Sequence, residues 1–183
     1  MVRHINITSR DREHLYVIRN ALLIKNKVGR KTRSKSETKK YSQISFGDVV
    51  FYKHLVSLGI TPRKSLTLGK ITIDKIFFND FLRGVIDGDG NISTWIHRTN
   101  NHRQWTLRIF SASPIFINWL NEAIEEEFNI RGRLYSRKRK DRNNSTYTLK
   151  FGKIDATKIL QRIYYPSCLS LERKFLKAQL CLQ

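Results

Sequence analysis

The 183-residue chain has two cysteines and only 15 acidic residues against 35 lysines and arginines. No apolar run approaches the roughly 20 residues that a membrane-spanning helix needs, so no membrane partner is expected. The opening stretch MVRHINITSRDREHL lacks the apolar core of a secretory signal, which makes an intracellular, unsecreted protein the expectation. Cys168 and Cys181 have neither the spacing of a zinc site nor the number of a disulfide framework, and read as reduced, buried or incidental. The shortage of acids leaves a formal charge of +20. Such an excess opposes compaction by self-repulsion and points to a polyanionic partner whose counterions are released on binding. A soluble protein with a merely basic surface is the plain alternative. Hydrophobic residues at 40% and aromatics at 11% exclude a disordered tail. The length suits one core, or two small half-domains sharing one.

What is present is a repeat. INITSRDREHLYVIRNAL (Ile5 to Leu22) and LRIFSASPIFINWLNEAI (Leu107 to Ile124) both begin as alternating strands, reach a serine, Ser9 or Ser111, and run into an amphipathic helix. The offset is 111 − 9 = 102, and it sets Leu15 on Ile117, Ile18 on Leu120 and Leu22 on Ile124. Asp11 and Ser113 coincide as helix N-cap candidates, with Pro114 at the favoured first helical position. In both copies a strand, a polar basic turn and a strand ending in Phe-Gly follow, then a second amphipathic helix and a basic pair, Arg63-Lys64 or Arg173-Lys174. The matching order of features predicts a structural duplication. Only the second copy is preceded by a further helix and strand.

That helix is FFNDFLRGVIDGDG, with Phe77, Phe78, Phe81, Leu82, Val85 and Ile86 at helix-face positions. Gly84 and Gly88 are four apart and stack on one side, where small residues let two backbones approach closely. Asp89 falls at or just past the helix end, and Gly90 turns the chain into a strand. A carboxylate beside the exposed carbonyls of a helix C-terminus suits a hard divalent cation such as Mg²⁺. A tight turn that merely caps the helix is the plain alternative.

Leu82-Arg83-Gly84-Val85-Ile86-Asp87-Gly88-Asp89-Gly90 resembles the nine-residue motif of the LAGLIDADG homing endonucleases, with Arg for Ala at its second position. The resemblance covers essentially the whole chain. It implies an α+β protein of two pseudo-symmetric repeats, each with an antiparallel, saddle-shaped sheet for the major groove of double-stranded DNA. Residues 1–70 would be a truncated repeat without its motif helix, and 71–183 a complete one. It implies Mg²⁺-dependent, or other divalent-cation-dependent, phosphodiester cleavage. Asp89 would be the catalytic metal ligand and the Gly88 carbonyl a second ligand. Asp87 would be a further ligand or only satisfy the helix end. Lys150 and Lys153 are candidates for polarising water or phosphate, or plain surface lysines. Ser111 is a candidate for orienting water, or a helix cap. The rival reading is a non-cleaving binder of the same fold, an intron maturase acting on RNA or a DNA-binding regulator.

On this plan the basic tracts fall in equivalent hairpins. Arg30, Lys31, Arg33, Lys35, Lys39 and Lys40 belong to the first, and Arg131, Arg133, Arg137, Lys138, Arg139, Lys140 and Arg142 to the second. A two-stranded ribbon fits the major groove, where such residues meet phosphates and base edges. Trp95, Trp105 and Tyr147 are expected in sheet packing. The face formed by Phe81, Gly84, Val85 and Gly88 is expected to meet a like helix, from a homodimer or a complementing chain.

Overall fold

The computed structural model describes residues 3–31, 41–62, 64–138 and 145–183. The chain divides into two compact units, Met1–Ser57 and Leu58–Gln183. The division falls before the expected border at 70, because Leu58, Ile60 and Leu68 pack against the larger core of the second unit.

In the first unit, strand β1 (His4–Ser9) leads into helix α1 (Arg12–Ala21). Strands β2 (Gly29–Lys31) and β3 (Tyr41–Gly47) and helix α2 (Val49–Ser57) follow. The three strands form an antiparallel sheet in the order β1-β3-β2, with Ile5 opposite Phe46 and Ile7 opposite Ile44. Alternation sends Ile7 and Ile44 to the helix side, where Leu15, Val28 and Ile44 form a small buried cluster.

The second unit begins with an irregular stretch that ends in a 3-10 turn, Lys75–Phe77, and continues directly into α3 (Phe78–Asp89). Strands β4 (Gly90–Ile96) and β5 (Arg103–Ser111) come next. They are followed by α4 (Pro114–Phe128), β6 (Arg133–Lys138), β7 (Ser145–Phe151), α5 (Lys153–Ile163) and α6 (Glu172–Leu182). The antiparallel sheet has the order β4-β5-β7-β6. Ile92, Leu107, Ile109, Leu149 and Phe151 point to one side and are buried with Leu82 and Ile86 of α3, Ile117, Leu120 and Ile124 of α4, and Ile159, Leu160 and Ile163 of α5. This one-sided burial is what strict alternation in an antiparallel sheet provides. Among the described residues of this unit, no helix packs on the other face of the sheet.

Local chemistry fixes the connections. Ser113 caps α4, its hydroxyl accepting from the Phe116 amide at 3.3 Å, and Asn129 ends that helix in the left-handed conformation. Asn121 then clamps Gly132 from both sides, accepting from its amide at 2.8 Å and donating to its carbonyl at 3.2 Å. A Cβ on Gly132 would lie 2.5 Å from Leu149, so only glycine lets β6 start there. Among the described residues no helix is long and apolar enough to cross a membrane.

Candidate nucleic-acid interface and its acidic edge

The motif helix ends in four residues with four different tasks. Ile86 is in the core. Asp87 is buried and faces the protein: one carboxylate oxygen accepts from the Tyr164 hydroxyl at 2.6 Å and the other from the Leu171 amide at 2.8 Å. Burial first, and the Asp87 carboxylate second, push the Tyr164 phenol well above its ordinary range, so Tyr164 stays a neutral donor. Asp89 is exposed. Gly90 reverses the chain so sharply that a Cβ would stand 2.6 Å from the Ile86 carbonyl oxygen. Of the two motif acids, then, one fastens the helix to the fold and the other is presented to solvent.

A lysine stabilises the helix end from beneath. The Lys174 ammonium is buried and donates to the carbonyls of Ile86, Asp87 and Gly90. These carbonyls cluster at a helix C-terminus, where a cation is favoured. The departure at the second motif position has a comparable role. Arg83 is buried, donating from Nε to the Leu169 carbonyl and from Nη1 to the Ile163 carbonyl, both at 2.9 Å. Its remaining nitrogen pairs with Asp80 at 2.7 Å, and its plane lies over the Tyr165 ring at 5.0 Å. Arg83 thereby caps α5 and fastens the segment that leads to Lys174.

Asp89 borders a cleft of about 430 Å³ whose other walls include Lys64, Ser65, Phe110, Ser111 and Thr146. Lys64 is held there because the Ser113 hydroxyl donates to the Leu68 carbonyl at 2.5 Å, tying residues 64–68 to the start of α4. Ser111 lines the cleft, and its hydroxyl also accepts from the Ser113 amide at 3.0 Å, which makes it a helix-start residue as well. Lys150 and Lys153 do not line this cleft. Lys150 stands in mid-sheet between Arg108 and Arg133. Lys153 begins α5, donates to the Arg103 carbonyl at 2.8 Å and covers the Trp105 ring at 4.2 Å. The lysine near Asp89 comes instead from the Arg63-Lys64 pair, whose only sequence signal was its recurrence as Arg173-Lys174.

Mg²⁺ is commonly held through one or two carboxylates completed by substrate phosphates and water. Among the described residues no three of His, Cys, Asp and Glu gather to hold a metal. The donor set at Asp89, an exposed carboxylate beside the Gly88 backbone, therefore fits a cation shared with a phosphate rather than one caged by protein.

The bare face of the sheet extends away from this edge. Asn91, Arg108, Lys150 and Arg133 form one row across all four strands, because they are register partners. Phe110, Thr148 and Tyr135 form the next, and Thr146 with Arg137 another. The four strands contain Arg103, Arg108, Arg133, Arg137, Lys138 and Lys150 and no acid. Trp95 also belongs to this face, opposite Gln104, and is 45% exposed, against the expectation of packing. Trp105 does pack, donating to the Thr157 hydroxyl at 3.1 Å, and Tyr147 lies against the core.

Alternation also sorts the basic residues read from sequence. Arg133 and Arg137 share the bare face, whereas Lys138 falls on the other register, opposite Ser145. Arg131 precedes the strand and pairs with Glu125 of α4 at 2.6 Å. In the first unit Lys31 donates to Thr8 at 3.2 Å on the side away from α1, and Arg30, opposite the buried Ser42, takes the other side. Arg33, Lys35, Lys39, Lys40, Arg139, Lys140 and Arg142 lie outside the described residues. Arg108, Asn91 and Gln104 were missed, although the alternation in GNISTWI and RQWTLRIFS carries them.

Residues 79–164 match the family model described as a LAGLIDADG-like domain. Among solved structures, I-DmoI in complex with DNA and Ca superposes with a TM-score of 0.61 at 13% identity, over 96% of this chain and 83% of that one. The LAGLIDADG meganuclease I-AabMI bound to uncleaved DNA gives 0.56 at 17% identity, over 97% and 78%. Full-length DUF199/WhiA from Thermatoga maritima gives 0.55 at 16% identity, with 98% of this chain spanning about half (52%) of that one. No curated protein matches the chain.

Proposed function

We propose that this chain, whose fold is that of the LAGLIDADG proteins, is a site-specific endonuclease of double-stranded DNA. The observation that carries the reading is one juxtaposition. An acid-free sheet face holding Arg108, Lys150, Arg133 and Arg137 runs up to a cleft lined by both Asp89 and Lys64. The cations neutralise backbone phosphates, and Asn91, Gln104 and the arginines have the donor geometry to read base edges. Asp89 and the Gly88 carbonyl would hold a divalent cation there, which would supply charge neutralisation and an acidified water. The chain's own contribution is placement. Lys174 and Asp87 hold the end of α3 rigid, so that Asp89 keeps one position. Lys64 offers an ammonium to charge that develops on the phosphate or leaving oxygen.

Cutting both strands needs two such acidic edges, and residues 1–183 bring one motif acid. Gly84 and Gly88 favour association as the source of the second. Both are exposed, and a Cβ on either would meet nothing within 4 Å. Glycine in a helix costs roughly 0.5–1 kcal/mol relative to alanine, and packing within the chain gives no reason for it here. A partner helix packed against this face gives one.

The test is incubation with a randomised duplex library and Mg²⁺, beside Asp89→Asn. Nicks or breaks at a defined site that vanish in Asp89→Asn support the reading. Site-specific binding with no Asp89-dependent cleavage would establish the rival, a non-cleaving regulator, and preference for structured RNA would establish a maturase.

A further inference from the structure

The bare face of the second unit's sheet changes character beside the acid. Because Gly90 pairs with Ile109, Asp89 falls at the next register position, opposite Phe110, and both residues line the cleft. From there a row runs across the sheet through Phe110, Thr148 and Tyr135. Phe110 is 39% exposed and Tyr135 49%, so this row presents two aromatic rings to solvent. The rows on either side hold cations: Arg108, Lys150 and Arg133 in one, Arg137 in the other. The row between them has no charge and no side-chain amide. Neighbouring strands lie about 4.8 Å apart, so the three residues span about 10 Å, within the roughly 12 Å width of the major groove. With the strands laid along the groove, successive rows are about 6.7 Å apart, or two base-pair steps of about 3.4 Å. Each row then addresses base pairs of its own.

We propose that this row, on the reading of the face as a DNA-binding surface and independently of cleavage, selects thymine at the base pairs nearest Asp89. Phe110 and the methyl group of Thr148 pack on thymine C5-methyl groups in the major groove. Guanine and adenine are read by bidentate pairs from arginine, lysine, asparagine or glutamine, and none of these stands in the row. Phe110 has no hydrogen-bonding group to offer a base edge. Cytosine presents an amino donor at its major-groove edge, and a phenyl ring laid against it would leave that donor unpaired. The thymine methyl is the one apolar group among the four base edges of the major groove. It covers an exposed ring without stranding a polar group. Tyr135 ends the row with a hydroxyl that can donate to the thymine O4.

The experiment measures equilibrium binding of the full chain, without divalent cation, to a duplex it has itself selected from a randomised library. The selected duplex is remade with deoxyuridine for thymine at one position at a time, which removes the methyl group and keeps every hydrogen-bonding group. At one or two positions the replacement weakens binding about fourfold, the effect of losing one buried methyl-sized group, and elsewhere it has no effect. Phe110→Ala or Thr148→Ser brings the thymine-to-deoxyuridine ratio at such a position to about one, whereas Arg108→Ala weakens both duplexes alike and keeps the ratio. Because the methyl is removed from the DNA, the main readout needs no variant to fold. Three results would overturn the proposal. One is a selected duplex that tolerates deoxyuridine at every position. Another is a deoxyuridine penalty that survives both Phe110→Ala and Thr148→Ser. The third, no duplex selected at all, would overturn the DNA-binding reading as well, which the first two leave standing.

Discussion

The ammonium of Lys174 donates to the carbonyl oxygen of Asp87 at 2.8 Å, across 87 residues of sequence. The last helix of the chain thus holds the end of the motif helix. Because the lysine also serves Ile86 and Gly90, its removal takes a charged donor from three carbonyls at once. Lys174→Met should lower stability by about 1–3 kcal/mol, read as a shift in the urea midpoint at unchanged slope.

The two motif acids should separate in their effects. Asp87→Asn replaces an acceptor-only group, facing two donors, with one that presents its own donor. It should destabilise by about 1–3 kcal/mol. Asp89→Asn is exposed and should leave stability within about 0.5 kcal/mol, while abolishing cleavage and preserving DNA binding. Paired urea titrations and cleavage assays on both variants check this, and equal destabilisation by the two would refute the division of tasks.

Arg83→Ala puts at that position the letter of the motif that Leu82–Gly90 resembles, but it removes the donor to the Ile163 and Leu169 carbonyls, so it should destabilise rather than stabilise. The Asp80 partner adds a pH signature. The Tyr165 hydroxyl first, and Arg83 after it, hold the Asp80 carboxylate below its ordinary range. A carboxylate with a depressed folded pKa contributes stability above its unfolded value of about 3.9, and loses it as the pH falls through the folded one. Thermal midpoints should therefore decline more steeply below about pH 4 in the native chain than in Asp80→Asn.

Gly84→Ala and Gly88→Ala should each stabilise the isolated chain by roughly 0.5–1 kcal/mol, since the added Cβ meets nothing. The same changes should weaken helix-mediated association. Thermal unfolding and sedimentation read the two effects separately. Loss of stability would mean that this face is already covered within the chain.

DNA affinity should fall roughly a thousandfold between about 50 and 200 mM salt if six or so phosphates are neutralised. Arg108→Ala should reduce the logarithmic salt slope by about one. Arg131→Ala should leave it nearly unchanged, because that side chain is paired with Glu125. Titrations of labelled duplex at several salt concentrations check all three.

The duplication and the motif were legible in the sequence because both rest on periodicity. Leu107, Ile109 and Leu149 alternate and Ile117, Leu120 and Ile124 recur at helical spacing, so burial followed directly. The placement of Lys64, Lys174 and Lys153 was not legible. Each depends on where a helix end or linker lies in space, and a hydroxyl bond from Ser113 to the Leu68 carbonyl leaves no pattern in the letters. Arg30 and Lys31 show a finer limit. A one-residue difference in register sends neighbours to opposite faces, and a run of basic letters does not reveal which neighbour faces the groove.

The acids of the second unit are also unevenly placed. Glu122, Glu125, Glu126 and Glu127 all lie on α4, whose packing covers the helix side of the sheet, while the strands themselves are free of acid. The acid-free strands and the four α4 glutamates make the potential uneven between the strands and α4, while α5 and α6 carry lysines and arginines of their own. A polyanion approaching from any direction exerts a torque that turns the basic face toward it before contact. Productive encounters then become a larger share of collisions. Added salt should slow association more than it speeds dissociation, and neutralising the α4 glutamates should lower the association rate through lost orientation even as it raises the net positive charge.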